Sequence, residues 1–149
     1  MSLPIVEWSG ADGHIKAPEF VRITEPAAWL DLWLRHTGSE VPHDARWSVQ
    51  HPRIDFDRYM VVAVIRGETT NTRGERMEGW SISEDRCLVR YDSASYQTAS
   101  FDGKPDPGSR AVSFGIWVLP KTAAQIVFEE NVQGMQDKHP IWKERHRIP

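Results

Sequence analysis

The chain has 149 residues, a formal net charge of −3, 40% hydrophobic residues and 26% charged ones. That balance fits one folded domain, able to bury roughly 68–70% of the surface its unfolded chain exposes, and it excludes wholesale disorder. So small a charge casts no long-range field towards nucleic acid or an anionic membrane, and no apolar run approaches bilayer length.

Met1-Ser2-Leu3-Pro4 has neither the basic start nor the apolar stretch of a secretory leader. The same opening is also what a chain would show once a leader or anchor had been replaced. From Pro4 to Pro18 the text is loop-like, with Ser9-Gly10 and Asp12-Gly13 as turn signals. Phe20, Val21 and Ile23 predict a short strand. Thr24 is the expected N-cap of a helix over Glu25–His36, with Pro26 in the first turn, where a missing amide donor costs nothing. Trp29, Leu32, Trp33 and His36 then fall at i, i+3, i+4 and i+7 on one helical face, and Gly38 supplies the stop.

Residues 39–53 read as irregular, holding Pro42, Pro52, two histidines and Trp47. From Tyr59 to Ile65 every residue is apolar, and most are β-branched or aromatic. A half-exposed strand would alternate, so this one is expected to be buried on both faces. Gly67 to Gly74 is expected to form a polar loop. Alternation over residues 78–83 and again over 87–92, about the compact Glu84-Asp85-Arg86, predicts a hairpin. Two prolines and two glycines over 101–110 predict a loop; Ala111–Leu119 resumes a strand, with Val112, Phe114, Ile116 and Val118 on one face, and Pro120 ends it. Gln125–Glu130 is a further short strand, and the basic, aromatic tail from Lys138 is an extension. The expected architecture is therefore one α+β domain over 1–149. It has a mostly antiparallel sheet of five to six strands, one early helix packed on one face, and a core over about 20–130 flanked by extensions 1–18 and 131–149.

The chemistry-bearing residues are scattered. Cys87 is the single cysteine, so an internal disulfide and a cysteine-built zinc site are excluded, and its place beside Leu88 and Val89 predicts a packed thiol. His43, Asp44, His51, Asp55 and Asp57 form the densest set of metal-type ligands. They lack helical His-Glu spacing, and loop aspartates ordinarily cap turns. Ser113 lies within a strand pattern and in no nucleophile elbow, where its hydroxyl is expected on the outer face. Adjacent Glu129 and Glu130 must point to opposite faces, so they do not form a facing acid pair. No catalytic residue, metal or cofactor is predicted. The recognition candidates are Asn71 and Arg73, on the loop following the central strand, and Trp80, Tyr91, Tyr96 and Gln97. In the latter group aromatic faces stand beside the polar Arg90, Asp92 and Gln97, as sugar binding requires, although cross-strand aromatic pairing within a hairpin is the commoner reason for such a grouping. Seven tryptophans exceed the roughly two expected for this length, so one or two are candidates to line a groove as well as to build the core.

The order of these signals carries a family resemblance. Trp29-x2-Leu32-Trp33 precedes a loop; Ile54-Asp55-Phe56 leads into the apolar strand ending at Gly67; a glycine turn at Gly74 and a hairpin follow. Over about residues 20–130 this resembles the C-terminal domain family of the protease-complex subunit PrcB, in which Val-Asp-Phe leads into a Val-rich strand ending in glycine. Asp55-Phe56 and Gly67 match that pattern; Phe114-Gly115-Ile116-Trp117 stands where the family has a Pro-aromatic motif. The resemblance implies a non-catalytic bacterial accessory domain outside the cytoplasm, periplasmic or at the cell surface. It also implies a protein partner such as a protease complex, and brings no catalytic residues to carry over. The alternative drawn from the residues is a carbohydrate-binding module using surface aromatics.

Overall fold

The computed structural model describes residues 1–98, 103–104, 106–135 and 137–149. Its elements are β1 (Val6–Gly10), β2 (Glu19–Ile23), α1 (Pro26–Thr37), a short 3-10 helix (His43–Ser48), β3 (Tyr59–Thr70), β4 (Thr72–Ile82), β5 (Arg86–Ser95), β6 (Arg110–Pro120), β7 (Gln125–Asn131) and β8 (Trp142–Ile148).

The strands form two four-stranded sheets, ordered β1-β6-β3-β2 and β4-β5-β7-β8, rather than the single five- to six-stranded sheet expected from the sequence. Apolar patterning explains the difference. β3 is buried on both faces, with Met60, Val61, Val62 and Ala63 fully inaccessible, and so is most of β6, including Ile116, Trp117 and Leu119. Two adjacent strands with two buried faces each require a layer on either side. On one face α1 lays Trp29 and Leu32 against Val61, Ala63, Ile65, Ile116 and Val118. On the other, the second sheet contributes Met77, Cys87, Val89, Tyr91, Ile126 and Phe128 against Met60, Val62, Trp117 and Leu119. The result is a helix–sheet–sheet stack with a core on each side of the first sheet.

Pairing is antiparallel except between β5 and β7, which run parallel because β6, lying between them in sequence, crosses to the other sheet. The sheets approach most closely along β1, β4 and β6. There the Glu7 carboxylate accepts from the Trp117 indole N–H at 2.7 Å and from the Met77 backbone N–H at 2.8 Å.

Several local expectations are corrected. Residues 67–74 are not a loop. β3 runs on to Thr70 and turns into β4 through Asn71 alone, whose φ of 55° is left-handed. Gly67 is a bulge within β3, where the pairing register with β6 shifts. The helix starts without a side-chain cap: Glu25, not Thr24, holds the cap position, and Pro26 follows as anticipated. Gly38, at φ 70°, closes α1 in the left-handed conformation. The stretch read as a leading loop contains β1. Irregular 39–53 contains the 3-10 helix, and the tail contributes β8, which pairs with β7. The predicted hairpin is present and longer, as β4 with β5. Of the loop expected over 101–110, residues 101, 102 and 105 lie outside the described residues.

Candidate functional site

The second sheet turns one face inward to the core. By strand alternation it presents the other face, Arg76, Arg90, Asp92, Glu129 and Asn131 among it, away from the first sheet. Among the described residues no helix covers that outer face. One row of side chains crosses all four strands there: Arg76 stands opposite Asp92, the Asn131 side-chain amide donates to the Asp92 carboxylate at 3.4 Å, and Asn131 stands opposite Trp142. This row floors a cleft of about 660 Å³. Arg73 and Tyr96 wall one end of it, and Gln133, Gly134, Met135, Lys138 and Pro140 wall the other.

Each wall has a local cause. At the first, the tight turn at Asn71 brings the ends of β4 and β5 together: the Asn71 carbonyl accepts from the Tyr96 N–H at 2.8 Å. The Asn71 side-chain oxygen accepts from the Ser109 N–H at 2.8 Å. The Arg73 guanidinium then lies over the Tyr96 ring, 5.3 Å from its centroid. At the second wall, the Asn131 side-chain oxygen accepts from the N–H groups of Gln133 (2.9 Å) and Ile141 (3.1 Å), pinning both ends of the loop to the floor. Trp142 is fixed from beneath by Arg90, 4.9 Å from the ring centroid and itself held by Glu129 at 2.9 Å.

Electrostatically the cleft is unusual within this chain. Burial first, and then Glu78, push the Asp92 carboxyl above its ordinary value, while the Asn131 amide opposes the shift. Below it the cleft continues into a smaller cavity of about 260 Å³ reaching Arg66, Glu130 and Arg145. Here Glu75, 1% exposed, accepts from the hydroxyls of Ser93 (2.5 Å) and Ser113 (2.9 Å). Arg66 spans Glu75 and Glu130 at 3.5 and 3.2 Å, and Arg145 reaches Glu130 at 2.6 Å. This network ties β3 to β8 together. Its charges and hydroxyls satisfy one another, so it reads as an internal clamp between the sheets rather than as a reaction centre.

The sequence candidates separate on this geometry. Arg73 and Tyr96 line the cleft and Asn71 shapes it, while exposed Gln97 follows Tyr96 on the rim side. Tyr91 is 3% exposed and packs near Trp117 in the intersheet core, where burial and the Glu130 and Glu75 carboxylates push its phenol far up. It offers no ligand face. Trp80 is half-buried away from the cleft, its indole N–H bonded to the Leu3 carbonyl at 2.7 Å. Ser113, expected on an outer face, points inward to Glu75. Asp92 entered only as a polar neighbour of the aromatic candidates, and Arg76, Asn131 and Trp142 were not among them. Strand alternation over Arg90 and Asp92 and the lone tryptophan of the basic tail were the signals available for them.

The remaining chemistry stays apart. The Asp55 carboxylate accepts from the Asp57 N–H at 3.1 Å, the expected turn cap. Among the described residues no group of three or more His, Cys, Asp or Glu comes together to hold a metal. Glu129 and Glu130 face opposite sides of β7, pairing with Arg90 and with Arg66 and Arg145 respectively. A broader groove of about 1140 Å³ beside α1 includes ions that already pair, Arg35 with Glu19 and Arg46 with Asp31. Of the tryptophans, Trp29 and Trp117 are core; Trp8 and Trp33 stack around Trp29; Trp47 is 87% exposed. Comparison with protein-family models, curated proteins and solved structures finds no match to the chain.

Proposed function

We propose that the protein is a non-catalytic interaction domain, and that the outer-sheet cleft grips a segment of a partner protein. The observation that carries this reading is the composition of the loop wall. Met135, 59% exposed, lines that wall beside a floor of arginine, aspartate, asparagine and tryptophan, and Val132 and Ile141, 41% and 52% exposed, belong to the same loop without lining the cleft. Exposed aliphatics and a flexible thioether next to an aromatic and fixed polar groups are the makings of a protein-recognition surface. The resemblance to the PrcB C-terminal domain family favours the same role and an extracytoplasmic, bacterial setting with a protease complex as the class of partner.

The test is affinity retrieval from native cell extract, comparing the wild type with a Met135→Glu, Trp142→Ala variant by quantitative mass spectrometry. A defined protein retained by the first and lost by the second supports the reading. Identical retained sets refute it.

One observation favours a second reading, carbohydrate binding. Tyr96 and Trp142 border the same cleft, with the Asp92–Asn131 pair between them. That grouping differs from the Trp80, Tyr91 and Tyr96 set, which does not converge. A glycan array giving signal that Trp142→Ala abolishes would establish it; a blank array removes it.

A further inference from the structure

Cations without an ion pair among the described residues include Arg53, Arg86, Arg110 and Lys143, which line none of the cavities described above, and three that gather on one cleft. Arg35, Arg46, Arg90, Arg145 and Arg147 each have a carboxylate within ion-pair distance. Arg73, Arg76 and Lys138 converge on the cleft, and none of them has such a partner among the described residues. Arg76 faces Asp92 directly across the strand pair and makes no ion pair with it, while the Asn131 amide donates to Asp92 at 3.4 Å. Arg73 is held over the Tyr96 ring at 5.3 Å. Fixing it there removes part of the ordering cost that a long side chain otherwise meets on binding.

We infer that, given the binding role proposed above, the segment this cleft takes is acidic: an extended stretch of a partner protein whose Asp or Glu carboxylates are received by Arg73, Arg76 and Lys138. Planar guanidinium forks match carboxylates in bidentate geometry. Glu78 and Asp92, lining the same cleft, interrupt the cationic field. They oppose a dense polyanion such as nucleic acid and leave room for carboxylates spaced along a peptide. Lys138 shares one wall with the exposed Met135, Arg76 lies in the floor and Arg73 stands on the opposite wall, so one extended segment crossing the cleft meets both charge and apolar contact.

The experiment is an amide and indole NMR titration of the full chain with capped hexaglutamate, and with capped hexaglutamine as the uncharged control. Hexaglutamate is expected to shift the signals of Arg76, Tyr96, Asn131 and the Trp142 indole, while hexaglutamine leaves them in place. Arg76→Gln should weaken the hexaglutamate effect by about tenfold, as expected for loss of one charge-assisted contact. Arg76→Lys should recover part of it. Raising salt towards about 0.5 M should weaken it comparably, because the Debye length there falls below about 5 Å. Unchanged signals away from the cleft show that each variant is folded. Hexaglutamate shifts that are absent, that lie elsewhere, or that persist in Arg76→Gln overturn the inference. Equal response to both peptides also overturns it, yet leaves the protein-binding role standing. A cleft that answers cellohexaose and neither peptide would remove that role as well.

Discussion

Replacing Gly67 by alanine should be among the most damaging single-methyl changes this protein can suffer. At φ 79° the residue is left-handed, and a Cβ added there would sit 2.1 Å from the Lys16 carbonyl oxygen and 2.7 Å from its carbon. These are backbone atoms, and Lys16 is itself tied to β3, its carbonyl accepting from the Glu68 N–H at 3.0 Å. Three costs follow: about 1–2 kcal/mol for an L-residue in the left-handed region, about 1–3 kcal/mol for overpacking, and about 0.5–1.5 kcal/mol for the bond lost as Lys16 retreats. Together they come to roughly 3–6 kcal/mol, against a typical domain stability of about 5–15 kcal/mol. Urea denaturation followed by tryptophan fluorescence should show the midpoint falling by about 1.5–3 M at a mid-range slope of about 2 kcal/mol per M. Gly38→Ala is the control. Its φ is 70°, but the nearest obstacle is the His14 ring at 2.6 Å, a side chain that can swing away at the cost of its Nδ1 contact with the His36 carbonyl, so about 1.5–3.5 kcal/mol is expected. If Gly67→Ala costs no more than Gly38→Ala, the bulge is not built as described and the argument fails.

Three further outcomes are expected. His36 is 9% exposed, its Nδ1 is without a hydrogen-bond partner, and burial, reinforced by His14 and opposed by Asp12, lowers its pKa from 6.5. The folded state then binds fewer protons than the unfolded one. The contribution is fully present above 6.5 and is lost as pH falls through 6.5 towards the lower folded value; thermal melts should show His36→Gln flattening that acid limb. Asp92 has the opposite sign: its raised carboxyl pKa makes the folded state bind more protons, so stability falls as pH rises above 3.8. Asp92→Asn should therefore raise the melting temperature at neutral pH, while altering whatever the cleft binds. Burial pushes the Cys87 thiol up to about 11, with Arg22 opposing, so a disulfide-exchange reagent should label it only on unfolding. Rapid labelling of the native protein would contradict the packing of β5.

Legibility in the sequence followed the strength of the local signal. The seven apolar residues from Tyr59 to Ile65 announced a twice-buried strand, and the Trp29, Leu32, Trp33, His36 spacing announced α1, because burial on a fixed period leaves a direct imprint. β8 left none. As an edge strand its exposed positions carry Lys143, Glu144, Arg145, His146 and Arg147, the charges that keep an open edge from pairing with another chain, and they mask its apolar ends. Gly67 read as a loop because a glycine bulge inside a strand and a glycine turn use the same residue. Of the cleft, Arg73 and Tyr96 were found because both lie close to the hairpin. Asn131 and Trp142 were not, because they meet Asp92 only through the parallel β5–β7 junction, and the crossing of β6 into the other sheet is a long-range fact with no local mark.

That crossing has a consequence for when the protein becomes competent. The row from Arg76 to Trp142 has no partial version: its two halves are joined through strands that cannot be neighbours until β6 has been seated elsewhere. A chain in which β7 and β8 have not docked therefore displays Arg73 and Tyr96 but not the row that floors the cleft, so capture there reports that the second sheet has assembled.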